Sequence, residues 1–325
     1  MKACVVQELS GPDGLVYTDV QDVAGNNDVL VIGVRAAGVC FPDLLLSKGE
    51  YQLKLPPPFI PGMEAAGVVE WAPEDSEFKV GDRVSAFGVL GGFAEQVLAP
   101  MANVTRSPAQ LDDAEAVSLL VNYNTMYFAL ARRAAMRRGD SVLVLGSAGG
   151  VGTAAIQVAR AMGASKVIAV VHRTSATEFV ESLGADVVLP LTDGWAQAVR
   201  DHTDGRGVDI VVDPVGGDRF TDSLRSLAPA GRLLVIGFTG GDIPTVKVNR
   251  LLLNNIDVVG VGWGAWAGTH PDALTEQWAN LERLLASGRL PPPEPVVYPL
   301  EEAAAAIASL ENRTAKGKVV LRVRD

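Results

Sequence analysis

The 325-residue sequence has only two cysteines, three histidines and 6% aromatic residues, and each shortage excludes a class of protein. Cys4 and Cys40 are too few for a disulfide scaffold. No basic segment followed by an apolar stretch and a cleavage site opens the chain, which disfavours a secretory signal. We therefore expect a protein of the reducing cytoplasm.

The sequence also lacks a basic surplus and long apolar runs. A formal net charge of −10 argues against nonspecific binding to nucleic acids or anionic membranes, because few cations are available to displace counterions from phosphates. Glycine, proline and charged residues interrupt every apolar stretch before it reaches the roughly 20 residues of a membrane helix. We expect neither nucleic acid nor membrane as a partner.

Of the residues, 48% are hydrophobic and 20% are charged. A chain of this length and composition can form the cores of about two domains. Short strands separated by glycine and proline turns predict a mainly β domain up to about Leu120. Buried-strand runs then alternate with helical segments and predict a doubly wound parallel sheet. We predict an α/β protein in which residues 122–265 form the nucleotide domain, inserted between residues 1–121 and 266–325 of the other domain.

A glycine-rich turn follows the first strand of the predicted parallel sheet and precedes a helix. It consists of Ser147, Ala148, Gly149, Gly150, Val151 and Gly152. Ser147 replaces the first glycine of G-x-G-x-x-G, but the strand, turn, helix and second strand around it favour a dinucleotide site. Gly149 and Gly150 allow close approach to a pyrophosphate, and Gly152 allows close packing of helix on strand.

The residues after the second strand predict which coenzyme binds. An acidic side chain that holds the ribose 2′-hydroxyl of NAD is expected there, but the sequence has His172, Arg173, Thr174 and Ser175. A guanidinium binds a 2′-phosphate with charge-assisted hydrogen bonds, and the two hydroxyls assist it, so the predicted cofactor is NADPH. The alternative is that Arg173 is a solvated loop charge and NADH binds through backbone contacts.

Together with that turn, the segments AAGVCFPDLLLSKGEY, PGMEAAGVV, VGDRV and NRTAKGKVVL give the chain a resemblance over nearly its whole length. It resembles the zinc-free medium-chain dehydrogenase/reductase family, in its quinone oxidoreductase and zeta-crystallin branch. The resemblance implies a GroES-like β-barrel domain, a Rossmann domain and a cofactor in the cleft between them.

The metal prediction rests on three positions. Zinc alcohol dehydrogenases of this superfamily have a cysteine ligand at Cys40 and a histidine at Met63, and here only Cys40 and the neighbouring Glu64 remain. A catalytic zinc needs three protein ligands, so we predict no metal site. Cys40 is interpreted as a pocket-wall or core residue rather than a nucleophile, because no activating base is visible near it.

Without zinc, the resemblance favours reduction of a quinone or an α,β-unsaturated carbonyl over alcohol oxidation. Tyr51 matches a tyrosine near the quinone pocket of the family, and Asp43 and Cys40 complete the candidate catalytic set. Tyr51 either donates a hydrogen bond or proton to the developing enolate, or packs as a loop aromatic while solvent supplies the proton. Cys40 replaces an asparagine that quinone reductases often carry.

Further cofactor contacts are implied by matched motifs and by the ends of the later strands. Arg313 is interpreted either as a basic residue close to the cofactor or as a surface charge, and Trp263 either as a roof of the substrate pocket or as a subunit contact. The complete set is Thr125, Val215, Gly237, Phe238, Val261, Gly262, Trp263 and Arg313.

The preferred hypothesis is an NADPH-dependent reductase of quinones or α,β-unsaturated carbonyls. One alternative is an enoyl thioester reductase, which needs a basic entrance; Lys48, Lys54 and Arg250 are candidates. Another is a crystallin-like protein that binds NADPH with little turnover. The segment NIDVVGVGW predicts an apolar edge strand that needs a partner, so we expect a homodimer.

Overall fold

A computed structural model describes residues 1–270 and 272–324, and the chain divides into two units. The first unit comprises Met1–Val121 and Pro292–Asp325, and the second comprises Asn122–Pro291. Among the described residues, no helix combines the length and the apolarity that a membrane crossing needs.

The amino-terminal part of the first unit is mainly β structure. Its strands β1 to β7 are Lys2–Val6, Leu15–Asp19, Val29–Val39, Glu64–Trp71, Arg83–Phe87, Gln96–Pro100 and Val104–Arg106. Helix α1 spans Phe41–Ser47, and 3-10 turns span Gly11–Gly14 and Met101–Asn103. Helix α2 spans Asp113–Tyr127 and continues into the second unit. Strand β3 pairs antiparallel with β4 and with β6 and is buried along most of its length, so it lies at the centre of the core.

The second unit is an alternation of strands and helices, as the sequence predicts. A π-helical stretch, Phe128–Arg133, continues α2. Strands β8 to β13 are Ser141–Val144, Lys166–Val171, Val187–Pro190, Val208–Asp213, Leu227–Val235 and Asp257–Gly260. Helices α3 to α9 are Gly150–Met162, Thr177–Ser182, Trp195–Asp201, Phe220–Arg225, Asn249–Asn254, Trp263–Ala267 and Ala273–Ala286, with 3-10 turns at Thr174–Ala176 and Gly217–Arg219.

The strands of the second unit form a parallel sheet in the order β10-β9-β8-β11-β12-β13. This doubly wound arrangement confirms the predicted fold class. Helices α3 and α4 connect strands on one side of β8, whereas α5, α6 and α7 lead to β11, β12 and β13 on the other. Because parallel crossovers are right-handed, the two groups of helices cover opposite faces of the sheet.

The chain returns to the first unit after α9. Strand β14 spans Val296–Pro299, a 3-10 turn spans Leu300–Glu302, helix α10 spans Ala303–Glu311 and strand β15 spans Val319–Arg322. Strands β14 and β15 extend the main sheet of the first unit to the order β14-β15-β3-β4-β5-β7. The carboxyl-terminal strand is therefore a central partner of β3.

One predicted boundary needs correction, because the return comes at Pro292 and not at residue 266. Helices α8 and α9 pack within the second unit. The ring of Trp266 lies 5.9 Å from that of Phe128, and the Arg289 guanidinium donates to the Ala161 carbonyl of α3. Leu274, Trp278 and Leu281 of α9 are buried. The helical pattern of this segment is visible in the sequence, but the unit against which it packs is not.

Candidate active site

The glycine turn of the second unit joins β8 to α3 and leaves the start of the helix open. Gly149 is the N-cap residue, is exposed, and no side chain caps the helix. A Cβ at Gly152 would lie 2.3 Å from the Gly146 carbonyl oxygen, so only glycine lets the first turn of α3 pack against the loop. These features leave backbone N–H groups and the positive end of the helix dipole available to an anion.

The side chains around this turn fit a phosphate-bearing cofactor. A Cβ at Gly149 would contact only the Gly146 oxygen at 3.5 Å, so the approach to the turn is unobstructed. Ala148, Gly150 and Val151 are half-buried beside it. The hydroxyl of Thr153, in the first turn of α3, is buried and has no hydrogen-bond partner within residues 1–270 and 272–324. An open helix start of this kind is a common binding site for a pyrophosphate.

Ser147 has a structural role that the sequence pattern did not reveal. Its side chain is fully buried, and its hydroxyl shares one proton between the Val144 carbonyl at 2.7 Å and the Val170 carbonyl at 2.9 Å. The hydroxyl therefore joins the ends of β8 and β9. A glycine at this position would lack that link.

The four residues predicted to select the coenzyme follow β9 directly. His172, Arg173, Thr174 and Ser175 are all exposed, in a segment that enters the 3-10 turn Thr174–Ala176. Strand β9 pairs with β8 in parallel, so this segment leaves the sheet at the same edge as the glycine turn. The edge thus has a cationic side chain where NAD-binding proteins have a carboxylate.

The ends of the other strands meet at the same edge. Buried Asp213 ends β11 and accepts hydrogen bonds from the N–H groups of Val215 at 2.9 Å and Gly216 at 2.8 Å. The Thr239 hydroxyl donates to the Pro214 carbonyl at 3.1 Å and joins the loops after β11 and β12. Also at this edge are half-buried Gly237, exposed Phe238 and Gly262, and buried Val261 and Trp263.

Two predicted cofactor residues do not belong to the strand ends of this sheet. Thr125 is half-buried on α2 and does not follow a strand of the sheet. Arg313 belongs to the first unit, where it lies exposed in the turn between α10 and β15 with a φ of +55°. The strand ends of the sheet therefore carry most of the predicted cofactor set, and the roles of Thr125 and Arg313 stay predictions.

The first unit contains a buried cluster around Cys40, Glu64 and Lys318. The Cys40 thiol donates to Glu64 Oε1 at 2.9 Å, and the Lys318 ammonium contacts Glu64 Oε1, Cys40 Sγ at 3.1 Å and the Val39 carbonyl at 3.1 Å. Glu64 is fully buried and also accepts a hydrogen bond from the Val121 N–H at 3.1 Å. Charged groups at this depth are tolerated because each is neutralised and hydrogen-bonded.

The environment fixes the protonation of this cluster. Burial raises the pKa of Cys40 far above its usual value, and the Glu64 carboxylate reinforces that effect, so the side chain is a thiol. Burial opposes the charge of Lys318, but contacts with Cys40 and Glu64 outweigh burial and raise the pKa of its ammonium. A neutral thiol is a poor nucleophile, which supports the interpretation of Cys40 as a wall residue.

Asp43 lies beside this cluster, in the first turn of α1. Its carboxyl accepts the Cys40 N–H at 2.8 Å and the Gly62 N–H at 3.0 Å and is fully buried. Burial raises the pKa of Asp43 to about 7, although both N–H donors and the Lys318 charge act in the opposite direction. Asp43 therefore exchanges a proton near neutral pH.

Tyr51 is half-buried in the loop after α1. Burial raises the pKa of its phenol, and the negative charge of Asp43 adds to that rise. Within the described part of the chain, its hydroxyl makes no hydrogen bond. Tyr51 thus retains a proton that it can donate. The predicted residues Cys40, Asp43 and Tyr51 do share one region of the first unit.

Sequence reasoning missed Lys318 and the importance of Glu64. Lys318 immediately precedes the buried run of β15, and Glu64 begins the buried run of β4. Opposite charges at the starts of two apolar strands were the available signal. Gly38 also belongs to this arrangement, because a Cβ there would lie 2.4 Å from Glu64 Oε1.

Comparison with known proteins identifies the family. A model described as the alcohol dehydrogenase GroES-like domain matches residues 25–109, and one described as zinc-binding dehydrogenase matches residues 150–287. Quinone oxidoreductase-like protein 2 of Bos taurus is 34% identical over 325 residues, which cover 99% of this chain and 93% of that protein. The chain belongs to the medium-chain dehydrogenase/reductase family. The predicted GroES-like and Rossmann domains are confirmed by these matches.

Solved members of this oxidoreductase family share the fold. A probable oxidoreductase from Mycobacterium abscessus is 56% identical, with a TM-score of 0.92 and 99% of each chain covered. A mycobacterial protein solved in complex with NADPH is 32% identical, with a TM-score of 0.91, and the match covers 99% of this chain and 100% of that one. The CurK enoyl reductase is 25% identical, with a TM-score of 0.89 and 99% of each chain covered.

The residues of the first unit do not fit a catalytic zinc ion. Of the donor positions named above, Cys40 and Glu64 both contact the Lys318 ammonium, and Met63 stands at the histidine position. A cation of the chain itself thus contacts both remaining donors, and a thioether is a poor third ligand for zinc. Among residues 1–270 and 272–324, no group of three or more His, Cys, Asp or Glu side chains is arranged to hold a metal ion.

Proposed function

We propose that this protein is an NADPH-dependent reductase of quinones or α,β-unsaturated carbonyl compounds. The observation that carries the proposal is the carboxyl edge of the parallel sheet, where an uncapped helix start adjoins the exposed segment that contains Arg173. The mycobacterial relative complexed with NADPH and the quinone oxidoreductase-like relative support it.

The residues of the second unit hold the cofactor in this proposal. The N–H groups at the start of α3 bind the pyrophosphate, and the Arg173 guanidinium binds the 2′-phosphate with help from Thr174 and Ser175. Gly152 is essential because it brings the helix start close to the turn. Bound NADPH supplies a hydride.

The first unit supplies hydrogen bonding for the acceptor. The Tyr51 phenol is protonated at neutral pH and donates to the acceptor oxygen, on which negative charge develops as the conjugated system is reduced. Asp43, with a pKa of about 7, holds or releases a proton nearby. The proton that completes reduction comes from Tyr51 or from water, and neither route needs an ionised cysteine.

We also propose that the reaction is independent of zinc. The donor set around Cys40 is occupied by the Lys318 ammonium, and reduction of an electron-poor acceptor requires less charge stabilisation than formation of an alkoxide. Activity is therefore expected to persist after treatment with a strong chelator. Loss of activity on chelation and recovery on addition of zinc would contradict this proposal.

The central test is an NADPH oxidation screen across quinones, enones, enals and enoyl-CoA thioesters, with Tyr51→Phe as the matched variant. We expect turnover with quinones or enones and roughly a 100-fold lower kcat for Tyr51→Phe, which is the low end of what a positioned proton donor contributes. Binding of NADPH without turnover of any acceptor would sink the reductase proposal and favour the crystallin-like alternative.

A second candidate is an enoyl thioester reductase. Similarity to the CurK enoyl reductase favours it. The two candidates are separated by the thioester arm of the same screen. Preferential turnover of enoyl-CoA by at least about tenfold in kcat/KM over quinones would establish the second.

We further propose that the protein is a homodimer of the cytoplasm. Strand β13 ends the parallel sheet, and the nearby Leu252 and Leu253 are exposed by 77% and 74%. An unpaired edge beside exposed apolar side chains favours association with a second copy. Light scattering tests the oligomeric state, and a monodisperse monomer would reject it.

A further inference from the structure

The second unit contains a cavity of about 670 Å³ that the proposed function does not use. This arginine cavity is lined mainly by α5, α6, α7 and the strand starts that follow them. Its polar lining includes four arginines, Arg200, Arg219, Arg225 and Arg250. A volume of this size accommodates a small organic ligand.

The arginine cavity is separate from the proposed cofactor edge. Its three helices cover one face of the sheet, whereas α3, which begins at the glycine turn, covers the opposite face. Each of the three helices contributes two polar side chains on one face, spaced three or four residues apart. These pairs are Gln197 and Arg200, Asp222 and Arg225, and Arg250 and Asn254.

Two of the arginines are held by carboxylates of the same lining. Arg219 pairs with Asp193 at 3.0 Å, and Arg225 pairs with Asp222 at 2.9 Å. In each pair the two charges neutralise one another, and the contact fixes part of the cavity wall. They therefore leave the remaining two arginines to determine the net charge of the lining.

Arg200 and Arg250 have no acidic partner in the part of the chain that the structure describes. Arg200 donates to the Arg225 carbonyl at 3.0 Å, which leaves its charge uncompensated. Both side chains are half-buried. Two uncompensated guanidiniums in one cavity are notable in a chain whose net charge is −10, because a random surface of this protein is acidic.

The remaining large side chains of the lining are apolar. Leu224, Leu227 and Ile256 line the cavity. A ligand for this cavity thus has a dianionic group and an apolar part.

We propose that the arginine cavity binds an organic phosphate monoester. Its phosphate, which carries close to two negative charges at neutral pH, is bound by Arg200 and Arg250, and its apolar substituent packs against the leucine and isoleucine side chains. Guanidinium groups suit this ligand because they present paired N–H donors to phosphate oxygens.

The test is calorimetric titration of the NADPH-saturated protein with phenyl phosphate and, separately, with inorganic phosphate. Saturation with NADPH removes the coenzyme's own phosphate site from the measurement, and titration of the NADPH-free protein keeps the test independent of the proposed reductase function. We expect one phenyl phosphate per chain, bound roughly tenfold more tightly than inorganic phosphate because of the apolar wall. Equal affinities would overturn the assignment of an organic ligand.

Substitutions locate the site. Arg200→Gln and Arg250→Gln are each expected to weaken phenyl phosphate about tenfold, and the double variant more than either. The control Arg283→Gln removes the same charge from an exposed position of α9 and should change affinity less than about twofold. Absence of binding to the native protein, or equal weakening by all three single variants, would overturn the proposal. Unchanged thermal unfolding of the variants shows that they remain folded.

Discussion

The buried cluster of the first unit and the carboxyl edge of the second unit differ in how far their polar groups are satisfied within the protein. Around Glu64, every charge is satisfied inside the protein by another residue of the chain. At the carboxyl edge, the start of α3 is uncapped and the segment from His172 to Ser175 is exposed. The first arrangement needs no ligand to satisfy its polar groups, whereas the second leaves backbone N–H groups available to one. Substitutions should therefore reduce stability in the first region and coenzyme affinity in the second.

The largest effect is expected at Lys318. Lys318→Met leaves the Glu64 carboxylate buried without its cation, which should lower the free energy of unfolding by about 3–5 kcal/mol. Urea denaturation of the NADPH-free protein measures this change.

A double variant distinguishes loss of the ion pair from loss of packing. Combining Lys318→Met with Glu64→Gln removes both charges, so most of the lost stability should return. If the double variant is as unstable as the sum of the two single variants, the pair does not act as a coupled buried unit.

The next effect is a pH dependence that originates at Asp43. The pKa of Asp43 is about 7 in the folded protein against an ordinary value of 3.8, so the folded state binds the extra proton between these values. The stabilisation is fully present below the unfolded pKa and is lost as the pH rises through about 7. From about pH 5 to pH 8, the wild type should lose up to about 3 kcal/mol relative to Asp43→Asn.

Denaturation at several pH values measures that difference. Asp43→Asn itself loses one acceptor for the Cys40 or Gly62 N–H, at a pH-independent cost of about 1–3 kcal/mol. The informative quantity is therefore the slope with pH. Parallel pH curves for the two proteins would refute the assigned titration.

The contrast also explains what the sequence allowed us to predict. The strands of the parallel sheet and the residues at their ends follow from local patterns, because the apolar runs and the glycine turn are contiguous in the chain. The pairing of Glu64 with Lys318 joins residues far apart in sequence, and it follows only from the antiparallel pairing of β3 with β4 and β15. The packing of α9 within the second unit was missed for the same reason.

A third prediction concerns coenzyme selection by Arg173. Arg173→Ala should weaken NADPH by roughly 10- to 100-fold and leave NADH within about twofold, because only NADPH carries the 2′-phosphate. Arg173→Lys keeps the positive charge but lacks the planar guanidinium, so its NADPH affinity should lie between those of the native protein and Arg173→Ala. Fluorescence titration with both coenzymes measures these affinities.

Arg283→Ala is the matched control for that experiment, since it removes one exposed guanidinium from the same unit. It should leave both coenzymes unaffected. Equal NADPH and NADH affinities in the native protein would show that the segment after β9 does not select the coenzyme.

The smallest effect is expected at Ser147, which lies in the proposed cofactor turn but has a buried and hydrogen-bonded side chain. Its hydroxyl belongs to the glycine turn in sequence, yet it is buried and donates to the carbonyls of Val144 and Val170. Ser147→Ala should therefore lower the free energy of unfolding by about 1 kcal/mol and change NADPH affinity by less than about twofold. Denaturation and fluorescence titration measure the two quantities on the same variant. A loss of affinity without a loss of stability would mean that the Ser147 hydroxyl turns toward the cofactor when it binds, and that the carboxyl edge rearranges instead of being ready for its ligand.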